Sequence, residues 1–280
     1  MKPSLSFVAS LSWQHAALAA AWVFLCSFPQ VSLPNQTRRF ENQTQKIEHA
    51  FMQINQRFDL LVSLQYQANR KTRTSSVTLE ERWNFASDAE GRLRIDYRHP
   101  ETRIFVSDGS FFTEYLPRHR IALRSVLNAN DPSSLEPLKI VLQRLAVDGF
   151  RIGNSNELLK NLTSVEEHAT QPNILTIKGA DPQYQLKIDT EKNIFLKFEK
   201  WNHAGQRVFS IQPTDFVQPM PGFWIPTKVI TLLIEEGGLR ETTTSISGIQ
   251  VNKTITKNRF DLSLPPDIRV VSRSEWEKSP

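Results

Sequence analysis

The stretch GRLRIDYRHPETRIFVSDGSFFTEYLP, Gly91 to Pro117, decides how this chain is read. Leu93, Ile95 and Tyr97 alternate with Arg92, Arg94, Asp96 and Arg98, the period-two pattern of a strand with one apolar and one wet face. His99-Pro100-Glu101 breaks the run, because proline offers no N–H to a ladder and holds its predecessor extended. Ile104, Phe105 and Val106 begin a second strand. Ser107-Asp108-Gly109-Ser110 turns it, since Asp and Gly tolerate the positive φ of tight hairpins. Phe111, Phe112 and Tyr115 make a third strand, closed by Pro117. The result is a meander with one greasy face, and whatever covers that face sets the function.

Upstream, residues 1–33 read as a targeting segment. Lys2 is the sole charge before Arg38, and AALAAAWVFLCSFPQVSL follows from Ala16. A charged start and an apolar middle fit a secretory signal peptide or, uncleaved, an inner-membrane anchor. Cys26, the only cysteine, lies within it behind the large Leu25, where a lipid-attachment signal requires a small residue. With one cysteine in the chain, no intramolecular disulfide forms. Residues 34–45 read as a polar linker overlapping a helix from Glu41 to about Phe58. There Ile47, Phe51, Ile54, Phe58 and Leu61 make one stripe. From Leu60 the period changes to two, with Leu60, Val62, Leu64, Tyr66 and Ala68 on one side. Val77-Leu79-Glu81-Trp83-Phe85 follows, in which Glu81 is the one charged residue on an apolar face. It sits at a pocket rim or is turned out to water by a bulge.

Downstream, Arg120 to Leu123 reads as a strand. A helix from Ser134 to Val147 follows, capped by Ser134, with Leu135, Leu138, Val141, Leu142 and Leu145 on its apolar face and Asp148-Gly149 as its stop. A short helical piece, Asn156 to Leu162, precedes Ile174–Lys178, Tyr184–Ile188, Ile194–Trp201, Arg207–Phe216, Phe223–Leu233 and Leu239–Val251. Turn clusters separate these segments, which argues for an antiparallel sheet of about 11–12 strands in all. Asn258–Leu264 reads as a short strand stopped by two prolines. One domain over 46–272 and a polar tail, 273–280, complete the expected organisation.

The order Arg92, Ile95, Asp96, Tyr97, Pro100, Val106, Ser107, Asp108, Gly109, Tyr115, Pro117 resembles the periplasmic carriers and receptors that ferry lipoproteins to the bacterial outer membrane, the LolA/LolB-like group. Phe223-Trp224-Ile225-Pro226-Thr227-Lys228-Val229 and the tail Asn258 to Val271 extend the resemblance over roughly Ile47 to Val271. It implies an incomplete antiparallel β-barrel, mainly β, with an N-terminal helix and lid helices across its concave face. The Arg-Pro pair that latches the lid in those carriers has no counterpart here, where Ala89 and Glu90 stand.

Charge and motifs exclude several classes. The formal charge is +5, but 34 Lys and Arg are interspersed with 29 Asp and Glu, and no nucleic-acid motif accompanies them. The six histidines lack metal-ligand spacing. Glu166-Glu167-His168 reads as an exposed strand end, and no phosphate loop or nucleophile elbow is present. No catalytic residue, metal or cofactor is expected. The positive signal is aromatic alternation. Trp83, Phe85, Leu93, Ile95, Tyr97, Phe105, Phe111, Phe195, Trp201, Phe209 and Trp224, with Leu138 and Leu142 of the lid helix, either line a hydrophobic cavity or fill the core. A cavity of this kind holds acyl chains at ~0.8 kcal/mol per buried CH2. With this signal, the resemblance implies a monomeric periplasmic lipid or lipoprotein carrier that delivers to a partner at the inner or outer membrane. The rival is a non-catalytic sensor or scaffold that uses the same fold to bind a membrane protein.

Overall fold

The computed structural model describes residues 34–128, 130–145, 155–180, 183–235 and 238–278. The targeting segment with Cys26, and the Asp148-Gly149 stop, lie outside them. Residues 42–280 form one compact unit, and residues 34–41 of the other unit, Met1–Glu41, are the first turns of helix α1 (Pro34–Gln56). This helix starts inside the expected linker. Pro34 suits a first helical turn, and the Gln, Arg and Glu that follow are helix formers. No helix of the described residues is long and apolar enough to cross a membrane.

Six strands follow: β1 (Ser63–Arg73), β2 (Thr78–Asp88), β3 (Leu93–His99), β4 (Arg103–Ser107), β5 (Phe111–Leu116) and β6 (Ile121–Val126). Helices α2 (Glu136–Leu145) and α3 (Ser155–Lys160) lead to β7 (Leu162–His168), β8 (Gln171–Ala180), β9 (Gln183–Asp189) and β10 (Ile194–Trp201). Then come β11 (Arg207–Met220), β12 (Phe223–Glu235), β13 (Gly238–Val251), β14 (Arg269–Ser272) and α4 (Arg273–Lys278).

All fourteen strands share one sheet, in the order β14-β6-β5-β4-β3-β2-β1-β13-β12-β11-β10-β9-β8-β7. Two antiparallel meanders, β1–β6 and β7–β13, are joined where β1 pairs with β13, for example Ala68 with Ile246. The sheet is open and curved. Strands stand about 4.8 Å apart, so fourteen laid flat would span roughly 60 Å. Yet Ile95 of β3 and Ile177 of β8 belong to one core cluster with Ile47, Phe51 and Ile54 of α1. Only a sheet bent around that helix brings them together. The result is the incomplete β-barrel with helices on its concave face.

The local reading fails in several places. Leu60 and Val62, assigned to the apolar face, precede β1 and are exposed. The described residues hold fourteen strands rather than about 11–12, among them β7, whose exposed end is Glu166-Glu167-His168 as expected. One pair is parallel: Arg269 to Ser272 of β14 run beside Ile121 to Arg124 of β6. The chain between these two strands holds the whole second meander, and a final connection, Asn252 to Ile268, returns it to the β6 edge. That connection has a single 3-10 turn at Lys257–Phe260 in place of the expected strand. It is anchored by buried Phe260, with Arg92 stacked 5.2 Å from its ring. Arg94 donates to the carbonyls of Arg259 and Asp261 at 3.3 and 3.0 Å. The expected polar tail is helix α4, whose Arg273 pairs with Glu114. Ahead of α2, Asp131 rather than Ser134 caps the chain, accepting the Ser133 N–H at 3.0 Å.

Candidate functional site

Register fixes which side chains share the concave face. Ala68 stands opposite Trp83, Tyr66 opposite Phe85, Ile95 opposite Phe105, and Ser107 opposite Phe112. Cross-strand partners point to one side of a sheet. Tyr66 and Phe85 stack at 4.7 Å between ring centroids, and Phe105 and Phe112 at 6.3 Å. In the other meander, Tyr184, Phe198 and Phe209 form a chain of tilted and edge contacts at 6.0 and 6.2 Å.

A polar group lies within this face. Glu81, 4% exposed, accepts the Tyr97 hydroxyl through Oε1 at 2.6 Å. Its register partner on β1 is Arg70, which reaches Thr244 at 3.3 Å and places its guanidinium 5.0 Å from the Trp83 ring. The β2–β3 register shift leaves its extra residue, Arg98, on β3, while β1 and β2 pair without a shift, so Glu81 keeps the face of Trp83 and the outward-turned alternative is excluded. Beyond it, Glu114 is clamped by Arg103, at 3.5 Å, and by Arg273.

Three helices cover the face. α1 buries Ile47, Ala50, Phe51 and Ile54, and at its foot Lys46 bridges to Glu167 of β7 at 2.7 Å. Just past α1, burial lowers the pKa of Arg57 to about 10, and its guanidinium lies 5.7 Å from the Phe223 ring. α2 buries Val141, but Leu138 and Leu142 are only half-buried and Ile140 is exposed. α3 rests Leu158 and Leu159 on the core, and the Leu158 carbonyl accepts the Tyr184 hydroxyl, whose pKa burial raises to about 12. A groove of about 410 Å3 opens beside α1, lined by Lys46, His49, Ala50, Gln53, Thr190 and Asn193.

Of the side chains expected in a cavity, Trp83, Phe85, Leu93, Ile95, Tyr97, Phe105 and Phe195 are buried in the core that α1 shares. Phe209, Leu138 and Leu142 pack half-buried against it, and Trp201 is half-buried at the end of β10. Two lie on the other face. Phe111 shares its side of β5 with Thr113 and Tyr115 and sits under Arg124 at 5.1 Å. Trp224 alternates with the buried Phe223 and Ile225 and carries Lys192 at 5.1 Å from its ring. Sequence reasoning passed over Phe112, which is fully buried. The signal was the two-residue turn: Asp108 accepts the Ser110 and Phe111 N–H groups at 2.8 and 2.7 Å, and Gly109 takes φ 95°. That turn sets Ser107 opposite Phe112. Glu166 and Glu167 pair with Lys178 and Lys46, each at 2.7 Å, along the exposed edge strand.

No protein-family model matches the chain, and no curated protein matches it. Among solved structures it is similar to a LolA superfamily protein from Nitrosomonas europaea. The two share 13% identity at a TM-score of 0.47, over 77% of this chain and 97% of that one. It is also similar to a DUF1329 family protein from Desulfovibrio piger, at 11% identity and a TM-score of 0.48, over 76% and 96% of the two chains. A third similar structure carries the description outer membrane lipoprotein-sorting protein domain, from Vibrio parahaemolyticus, at 13% identity and a TM-score of 0.47 over 76% and 95%.

Proposed function

We propose that this protein is a non-catalytic periplasmic carrier. It holds the acyl chains of lipoproteins, or of a related lipid, between the concave face and its covering helices, for transfer to the outer membrane. The observation that carries this reading is the unequal seating of the cover. α1 inserts Ile47, Phe51 and Ile54 fully into the face, whereas among the described side chains of α2 Val141 alone is fully seated and Leu138 and Leu142 are half-buried. Fully burying such a side chain stabilises by about 1.5–3 kcal/mol. Lifting α2 therefore costs less than lifting α1, and it uncovers the part of the core against which Leu138, Val141 and Leu142 pack. Each CH2 of an acyl chain that takes its place restores about 0.8 kcal/mol. The charged start and apolar middle of residues 1–33 support export.

Native mass spectrometry of the exported protein tests this. A bound mass of lipid size is expected. One stoichiometric protein partner with no lipid mass would support a sensor or scaffold instead, and hydrolysis of an acyl ester by the pure protein would put an enzyme in its place.

A further inference from the structure

We infer that the indole N–H of Trp83 is a receiving point inside the concave face for the carbonyl oxygen of an esterified acyl chain, an inference that rests on the acyl-chain reading above. Trp83 is 2% exposed, and its indole N–H has no hydrogen-bond partner among the described residues. Indole nitrogen only donates, and a buried donor left unmet destabilises the empty site. A ligand oxygen there recovers that cost. The surroundings narrow its chemistry. Arg70 places a cation 5.0 Å from the same ring, and Glu81 lies two residues before Trp83 on the same face, bonded to the Tyr97 hydroxyl at 2.6 Å.

A plain hydrocarbon offers no acceptor. Arg70 is already faced by Glu81, its register partner, so a free fatty acid would bring its own charge out of water without a counter-charge of its own, which desolvation opposes. A neutral ester or amide carbonyl supplies the acceptor without the charge. The site accordingly prefers esterified chains over free fatty acids, and the hydrocarbon itself is held by the rest of the face.

The test compares 1,2-dioctanoylglycerol with 1,2-di-O-octylglycerol, a diether that lacks only the carbonyl oxygens, and with octanoate, by calorimetry on the purified protein. The diester is expected to bind about fivefold to tenfold more tightly than the diether. Trp83→Phe keeps a ring, loses the N–H, and is expected to bring that ratio to about one. In the unsubstituted protein the Trp83 indole proton resonance is expected to move with the diester and not with the diether, which needs no variant to fold. Equal affinities in the unsubstituted protein, a preference that survives Trp83→Phe, an indole resonance unmoved by the diester, or octanoate binding better than the diester would each overturn the inference. Failure of both glycerides to bind would instead remove the acyl-chain reading beneath it.

Discussion

Phe105 and Phe112 stack with their rings 9° from parallel, pinning β4 to β5 on the concave face, while Phe111, next in sequence to Phe112, lies on the opposite face. Truncating a fully buried phenylalanine removes its transfer free energy and leaves a cavity. Phe112→Ala is expected to cost about 3–5 kcal/mol in urea unfolding, and Phe111→Ala less than half as much. In acyl-probe uptake, Phe111→Asp is expected to behave as the unsubstituted protein, because its face does not meet the ligand.

The unequal cover predicts a separation of binding from stability. Leu142→Asp puts a charge under α2 where the side chain is already half in water, so unfolding free energy falls by about 1–2 kcal/mol, while uptake of a fluorescent acyl probe drops at least about tenfold. Ile54→Ala of α1 is expected to cost about 2–5 kcal/mol. Equal losses of stability in the two variants would mean that α2 is seated as firmly as α1.

The Glu81–Tyr97 hydrogen bond of 2.6 Å is buried at both ends. Tyr97→Phe removes the donor and keeps the ring, and is expected to cost about 1–3 kcal/mol. The loss should vanish in a Glu81→Leu background, which a double-mutant cycle measures.

Gly179 of β8 has no room for a side chain. A Cβ there would meet the Tyr184 ring at 1.9 Å. Gly179→Ala therefore displaces the ring whose hydroxyl holds α3 through the Leu158 carbonyl. A cost of about 1–3 kcal/mol is expected, together with faster amide hydrogen exchange in α3.

Burial pushes the Glu199 pKa up, but hydrogen bonds from Arg207 at 2.8 Å and Lys197 at 3.0 Å outweigh it, and the net shift is below the ordinary 4.5. The unfolded chain then binds the proton more readily. The contribution is complete above 4.5 and is lost as pH falls through the folded value. Glu199→Gln is expected to flatten the stability profile below 4.5 and to lower stability at pH 7 by about 1 kcal/mol.

The sequence by itself determined what is local. Alternation from Leu93 to Tyr97 made a strand, Asp108-Gly109 made a turn, and Ile47, Phe51 and Ile54 made the buried side of a helix, because side-chain period and backbone freedom are properties of a few consecutive residues. Tertiary structure decided everything that depends on which strand lies beside which. It put Phe112 rather than Phe111 on the concave face, buried Glu81 against Tyr97, joined β1 to β13, and laid β14 parallel on β6. Each of these is set by pairing between residues distant along the chain. A period of two says that two faces exist; only the partner strand says which of them is inside.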